Sequence, residues 1–128
     1  MRLLLDTHIW YWLVTDLGRI GKRTIGELTD ARNELWLSPI STWELLTFNA
    51  KGRVRLSGDP ESWLARATRG LQEAPLTQEI AQAAVKIALH RDPADRFLAA
   101  TAQTLDMTLV TADEKLLGLG TIQTLANR

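Results

Sequence analysis

Residues 2–6 of the chain read R-L-L-L-D, and the fold follows from this short stretch. After Arg2, three leucines run without a polar break, and the apolar run stops at Asp6. A short segment of this kind is typical of a parallel strand that is buried on both faces. Asp6 therefore stands at the carboxyl end of a predicted strand, where open parallel sheets place their ligand sites.

Outward from this stretch, apolar segments that suit strands alternate with segments that suit helices. The predicted strands are residues 2–5, 34–37, 74–76, 107–110 and 121–125. The predicted helices are residues 9–14, 22–32, 41–51, one opening at 59–60, one after Thr77, 92–105 and 114–117. Strands that alternate with helices predict an α/β fold, in which a parallel sheet carries helices on both faces.

Composition narrows the class of protein. The 128 residues suit one domain, residues 1–128, and 45% of them are hydrophobic, as in a globular chain. The absence of cysteine excludes disulfides and thiolate metal sites, which fits a cytoplasmic location. No apolar run approaches the roughly 20 residues that span a bilayer, so no membrane association is expected, and the start is too short for a secretory signal.

Charge balance argues against a protein that coats duplex nucleic acid. Basic and acidic residues number 15 each, so the formal net charge is zero. Contact with nucleic acid is therefore expected through a local patch, and residues 51–72 offer one with five basic and two acidic side chains. The same segment also suits an ordinary solvated surface.

Four acidic residues each stand where a predicted strand or loop runs into a helix: Asp6, Glu44, Asp95 and Asp113. If they converge, their carboxylates repel one another by roughly 4 kcal/mol for two charges about 4 Å apart at an effective dielectric near 20. Such a cluster needs protons, cationic side chains or a hard metal ion. Because oxygen ligands suit Mg²⁺ and Mn²⁺, the pattern predicts a carboxylate metal site.

Three of these acids also have a structural explanation. Ser41 and Glu44 fit the capping box S-x-x-E, in which the glutamate bonds back to the helix start. Asp95 follows the helix cap Asp92 and suits the helix dipole, and Asp113 fits the cap position of the next helix. Asp6 is the hardest of the four to explain structurally, because an acid that closes an apolar strand is desolvated.

Other polar side chains near these acids leave alternatives open. His8 and His90 fit either ligands and general bases or ordinary histidines with a satisfied hydrogen bond. Arg91 and Arg96 flank Asp95, where they would meet a phosphate or neutralise the acids. Nucleotide-binding and esterase glycine motifs are absent from the sequence, and two histidines without cysteine make zinc a poor fit.

Four motifs taken in order resemble those of PIN-domain ribonucleases, and in particular the VapC-type toxins of bacterial toxin–antitoxin pairs. They are L-L-L-D-T-H-I-W, S-T-W-E-L-L with A-K-G-R-V-R-L, H-R-D-P-A-D-R-F-L-A-A-T-A and L-V-T-A-D-E, which span nearly the whole chain. The resemblance implies a three-layer α/β/α sandwich with a central, mainly parallel sheet. It also implies a metal-dependent endoribonuclease that uses Mg²⁺ or Mn²⁺.

Carried over to this chain, the resemblance assigns the catalytic and metal-binding roles to Asp6, Glu44, Asp95 and Asp113. Thr111 corresponds to a hydroxyl that the family often places beside its metal site. The implied partners are an RNA substrate, a cognate antitoxin protein and a second copy of the chain in a homodimer.

Two other hypotheses remain at the level of sequence. One is a catalytically silent PIN module that binds RNA or a protein, although a non-enzyme gains nothing from repulsive acids. The other is phosphoryl transfer of the haloacid dehalogenase kind, which wants a second aspartate where this chain has His8.

Overall fold

The computed structural model describes residues 1–89 and 92–128. Within these ranges, five strands form one sheet in the order β3-β2-β1-β4-β5, and every neighbouring pair is parallel. The strands are β1 (Arg2–Leu5), β2 (Glu34–Leu37), β3 (Gln72–Glu73), β4 (Thr108–Thr111) and β5 (Gln123–Ala126). From β1, the chain adds β2 and β3 on one side and then β4 and β5 on the other side. The strand order therefore reverses between β1 and β4.

Helices connect the strands and cover both faces of the sheet. They are α1 (Thr7–Thr15), α2 (Lys22–Thr29), α3 (Pro39–Ala50), α4 (Pro60–Ala67), α5 (Gln78–Val85), α6 (Pro93–Thr104) and α7 (Glu114–Leu117), with a short 3₁₀ turn at Leu17–Arg19. No helix within the described ranges is long and apolar enough to cross a bilayer.

Alternation along the central strands divides the core into two layers. Leu3 and Leu5 of β1 pack with Trp10 and Val110 on one face, in a cluster that α1, α2, α3 and α4 complete. Leu4 points to the opposite face, where it joins a cluster built mainly on α5, α6 and α7. Since successive side chains of a strand point to opposite faces, one run of leucines serves both cores. The three-layer α/β/α sandwich predicted from the sequence is thereby confirmed.

The predicted strand at residues 74–76 is wrong in position. Pairing with β2 occurs at Gln72 and Glu73, and the Ala74 N–H adds one further bond to the Leu37 carbonyl at 2.9 Å. Pro75 follows and has no N–H to donate, so the ladder cannot continue. The strands predicted at residues 107–110 and 121–125 are displaced toward the carboxyl end by one to two residues.

The capping box predicted at Ser41 and Glu44 is also wrong. Helix α3 begins at Pro39, and the Ser38 side chain accepts a hydrogen bond from the Ile40 N–H at 3.1 Å. Serine at the cap followed by proline at the first helical position is a stronger start, because the ring already holds a helical φ. Ser41 and Glu44 therefore lie within the helix, and both are buried.

Candidate functional site

The four acids predicted from the sequence line a common cavity of about 460 Å³. This acidic cavity opens at the carboxyl end of β1 and β4, where the strand order reverses. Crevices at such a switch point are the general ligand site of open α/β sheets. Its lining residues are Asp6, His8, Trp12, Arg19, Glu44, Phe48, Asp92, Asp95, Ala112 and Asp113.

Asp6 is held in place by hydrogen bonds to both of its carboxylate oxygens. The Thr7 N–H donates to Oδ1 at 2.7 Å, and the Thr111 hydroxyl donates to Oδ2 at 2.6 Å. The residue is only 7% exposed, and burial raises the pKa of its carboxyl. Smaller influences lower this pKa: the hydrogen bonds from Thr111 and Thr7 and the nearby His8 side chain. The like charge of Asp113 adds slightly to the rise.

Thr111 connects Asp6 to Asp113. While its hydroxyl donates to Asp6, the same oxygen accepts a hydrogen bond from the Asp113 N–H at 3.0 Å. Asp113 caps α7 as the sequence predicted, accepting from the Lys115 N–H at 2.8 Å. Capping occupies one carboxylate oxygen, so the residue lines the cavity and begins the helix at once.

Asp92 and Asp95 approach from the start of α6. Asp92 is the helix cap, as predicted, and accepts from the Ala94 N–H at 3.0 Å. The pKa of Asp95 is raised to about 8, chiefly by burial and then by the carboxylates of Asp92, Asp6, Asp113 and Glu44. These carboxylates also line the same cavity as Asp95.

Glu44 completes the group from the middle of α3. Burial is again the main cause that raises the pKa of its carboxyl, and the Asp92 and Asp6 carboxylates add to the rise. The Thr7 hydroxyl lies near enough to oppose this rise, although it forms no hydrogen bond within the described part of the chain. Because Ser38 and not Ser41 caps α3, Glu44 has no role in capping this helix.

The chemistry of this donor set fits a hard divalent ion. Carboxylate oxygens are the protein ligands that Mg²⁺ and Mn²⁺ prefer. A cation would also relieve the repulsion between Asp95 and its neighbouring carboxylates, which contributes to its raised pKa. The acidic side chains do not form a complete metal-binding site in the described structure. Across residues 1–89 and 92–128, no three acidic or histidine side chains stand where they could share one ion, so binding would require rotation of side chains.

Arg96 does not pair with the acids within the described part of the chain. The Arg96 Nε is buried without a hydrogen-bond partner, and Arg96 does not line the acidic cavity. The predictions for His90 and Arg91 lie outside the described residues.

Three aromatic side chains also line the acidic cavity. His8 and Trp12 lie four residues apart on α1, and Phe48 lies four residues after Glu44 on α3. Side chains at i and i+4 share a helix face, so this spacing was the available signal once the acids were identified. Arg19 comes from the 3₁₀ turn, and nothing in its local sequence marks it.

Two further cavities flank this region. One of about 760 Å³ shares Asp92, Asp95 and Asp113 with the acidic cavity, and its lining also includes Glu114 and Lys115. The other, of about 790 Å³, is a mainly apolar groove between α3 and α4 that contains none of the four predicted acids. Trp43, which is 59% exposed, lies in this apolar groove.

Comparisons with known proteins agree with this geometry. The family model for the PIN domain matches residues 3–120. Ribonuclease VapC22 of Mycobacterium tuberculosis (strain ATCC 25618 / H37Rv) is 31% identical over 116 residues, which are 89% of this chain and 88% of that protein.

Two crystal structures of VapBC proteins share the fold. VapBC2 from Rickettsia felis, bound to a DNA fragment from its promoter, superposes with a TM-score of 0.77 at 17% identity over 98% of both chains. VapBC-1 from nontypeable Haemophilus influenzae gives 0.69 at 22% identity, again over 98% of both chains. With a family model over most of its length and a relative above 30% identity, the chain belongs to the PIN-domain family, and within it to the VapC type.

Proposed function

We propose that this protein is a metal-dependent endoribonuclease that acts as the toxin of a toxin–antitoxin pair. One observation carries the proposal: acids from four separate motifs line one cavity at the switch point of the sheet. The PIN-domain match and the similarity to a protein named ribonuclease support the same activity.

Asp6, Glu44, Asp95 and Asp113 are the residues that would hold Mg²⁺ or Mn²⁺. When bound, such an ion lowers the pKa of water, polarises a phosphodiester and offsets its negative charge. Thr111 acts as a positioning residue, because its one hydroxyl is bonded to the Asp6 carboxylate and to the Asp113 backbone.

Two neighbouring cavities support a polymeric substrate. The acidic cavity and the cavity of about 760 Å³ share Asp92, Asp95 and Asp113, so each offers space for chain on one side of a phosphate held at these acids. Lys115 lines the second cavity and offers a cation for a flanking phosphate. We therefore propose RNA as the substrate, with hydrolysis at the shared acids.

Cleavage of a defined single-stranded RNA tests the activity. Protein freed of metal by EDTA should leave the RNA intact, and addition of Mg²⁺ or Mn²⁺ should restore cleavage. Asp6→Asn should remain inactive with either ion, while Asp59→Asn should behave as wild type. Asp59 is a fair control because it also caps a helix, is exposed and does not line the acidic cavity.

A wild-type chain that cleaves equally well in EDTA would refute the metal requirement. A chain that cleaves no RNA with either ion, yet binds RNA, would favour the silent PIN module instead.

We further propose an antitoxin partner, in line with the VapBC proteins that share the fold. Its segment would cover the apolar groove around Trp43 and present a basic side chain, most suitably arginine, to the acidic cavity. A planar guanidinium can pair with two carboxylates at once. If inhibition survives replacement of every basic residue in that segment, the antitoxin must act by covering the RNA path alone.

A homodimer and a cytoplasmic location complete the proposal. Apolar side chains remain exposed outside the acidic cavity, among them Val85 at 80% and Leu17 at 53%. A second copy of the chain that packs against such residues would remove them from water. Light scattering coupled to gel filtration measures the mass directly, and a mass of about 14 kDa across micromolar concentrations would contradict the dimer.

A further inference from the structure

One wall of the acidic cavity is aromatic. The His8 ring lies 5.7 Å from the Trp12 ring and 6.2 Å from the Phe48 ring, measured between centroids, at interplanar angles of 49° and 36°. All three rings line the cavity together with the acids. We call these residues the aromatic wall, and it stands within the same cavity as the carboxylates.

The aromatic wall is not simply part of the core. On the same helix, Trp10 is fully buried and its indole N–H donates to the Ala67 carbonyl at 2.9 Å. In contrast, His8 is exposed and Trp12 and Phe48 are only half-buried. Large aromatic surface that stays open to solvent in a cavity is available to a ligand with a flat, apolar face.

Charge decides which part of an RNA strand this wall can accept. Five carboxylates line the cavity, and Arg19 is the one permanent cation among its described lining residues. Without a bound cation, phosphates are repelled from such a surface. A nucleobase carries no charge, so it can lie against the aromatic wall while its phosphates stay near the metal site or Arg19.

Arg19 is placed to assist such a base. Its guanidinium carbon lies 5.5 Å from the centre of the Trp12 ring, and its Nε lies 3.8 Å from a carboxylate oxygen of Asp16. The side chain is 63% exposed, so it can move with little cost. A guanidinium over an aromatic ring is a surface on which bases stack.

We propose that His8, Trp12 and Phe48 form a stacking subsite for one unpaired nucleobase adjacent to the scissile phosphate. This inference rests on the proposed ribonuclease function and adds to it the side chains that would hold one base beside the reacting phosphate. In a paired duplex, the base is held in the helical stack and cannot reach the aromatic wall. Stacking tolerates any base, because each has a π-face, so the subsite selects for lack of pairing more than for sequence.

Binding to matched RNAs tests the subsite directly. The probes are a fluorescein-labelled single-stranded RNA decamer and the same decamer with an abasic ribose on each side of the mapped cleavage position. Anisotropy is measured in Ca²⁺, a cation that also takes oxygen ligands, and a gel confirms that the RNA stays intact. Wild type should bind the intact decamer about 5-fold to 150-fold more tightly than the abasic one, the range that stacking of one base corresponds to.

Three variants separate stacking from general damage. Trp12→Leu keeps apolar volume but removes the ring, so its preference for the intact decamer should fall to about one. Phe48→Leu should reduce the preference in the same direction. Trp43→Ala is the matched control, since Trp43 is exposed but lies in the apolar groove, and it should keep the wild-type preference.

The proposal is overturned if Trp12→Leu and Phe48→Leu retain the wild-type preference for the intact decamer while circular dichroism shows a native fold. It is equally overturned if wild type binds both decamers alike. Failure of the proposed function is seen separately, as absence of cleavage by wild type with Mg²⁺ and Mn²⁺. In that case the two abasic riboses are placed at the centre of the decamer, so the preference in Ca²⁺ can still be measured.

Discussion

Replacing Asp95 by asparagine should stabilise the metal-free protein and remove the stabilisation that a metal ion provides. Asp95 stands in the first turn of α6, and burial together with four neighbouring carboxylates raises its pKa to about 8. The folded chain therefore retains a proton at Asp95 that the unfolded chain releases near its ordinary pKa of 3.8. An amide of similar shape has no charge to desolvate.

The direction of the pH dependence follows from this proton. Stability falls with rising pH wherever the folded state binds more protons than the unfolded state. The contribution of Asp95 is therefore absent below about pH 4 and becomes an increasing penalty as the pH approaches 8. The advantage of Asp95→Asn over wild type should grow across this same window and level off above it.

The magnitude can be bounded from the same shift. A rise from 3.8 to about 8 corresponds to a penalty of about 5 kcal/mol at pH 7.5, if all of it were expressed. Asp95 is partly exposed, and solvent and side-chain rotation screen the repulsion. We therefore expect Asp95→Asn to raise the free energy of unfolding by about 1–2 kcal/mol at pH 7.5, with little change at pH 4.5.

A divalent ion should reverse the order of the two proteins. An ion that binds only the folded state, at 100 times its dissociation constant, adds about 2.7 kcal/mol. Wild type should receive this gain in Mg²⁺ or Mn²⁺, while Asp95→Asn should receive little of it. Asp95→Asn should therefore be more stable than wild type in EDTA and less stable than wild type in saturating metal.

Urea denaturation followed by circular dichroism measures all of these quantities. Wild type, Asp95→Asn and the control Asp59→Asn are compared in EDTA between pH 4.5 and 8, and again with saturating Mg²⁺. The control should remain within about 0.5 kcal/mol of wild type throughout, as exposed substitutions usually do. A variant that is less stable than wild type in EDTA at pH 8 would refute the electrostatic argument, and so would a difference that does not change with pH.

Three further substitutions, with a fourth as a control, test the site and the packing around it. Thr111→Val removes the 2.6 Å hydrogen bond to Asp6 and should lower the free energy of unfolding by about 1–3 kcal/mol, with a loss of RNA cleavage; unchanged urea stability would show that the hydroxyl is dispensable. Glu44→Gln should abolish cleavage yet leave urea stability equal or higher, because Glu44 has no capping role and its burial raises its pKa; a destabilised variant would contradict this. Gly21→Ala would place its Cβ against the backbone of Arg128 and should lower the free energy of unfolding by about 1–3 kcal/mol. Gly26→Ala is its control: it meets nothing within 4 Å inside α2 and should stabilise by about 0.5–1 kcal/mol, so equal effects at both glycines would refute the contact.

Local sequence determined β1, β2 and most helix starts of this protein. The largely apolar runs at residues 2–5 and 34–37 form strands with the predicted bounds. A short, continuous apolar run is the main sequence signal of a strand in a parallel sheet, so its ends mark the ends of the strand. Asp59, Thr77 and Asp92 cap the helices that follow them, since a side-chain oxygen at the cap satisfies backbone N–H groups within the next three residues. These interactions span only a few residues, so sequence alone specifies them.

Where two nearby segments could each begin or end the same helix or strand, the sequence alone does not predict which one does. Both Ser38-Pro39 and Ser41 with Glu44 offer helix starts for α3, and the first prevails because proline fixes its φ one residue after the cap. Likewise, Pro75 ends the β3 ladder, which places the strand two residues earlier than its apolar character indicates. In each case, the outcome depends on which backbone N–H groups find partners.

Only the tertiary structure brought the acids into one cavity. Sequence places Asp6, Glu44, Asp95 and Asp113 at strand ends and helix turns, but their shared cavity requires the strand order that sets β4 beside β1. That order also places Thr111 against Asp6, 105 residues away along the chain. Burial and convergence of like charges, which raise the pKa values of these carboxyls, are long-range properties of the packed sheet and its helices.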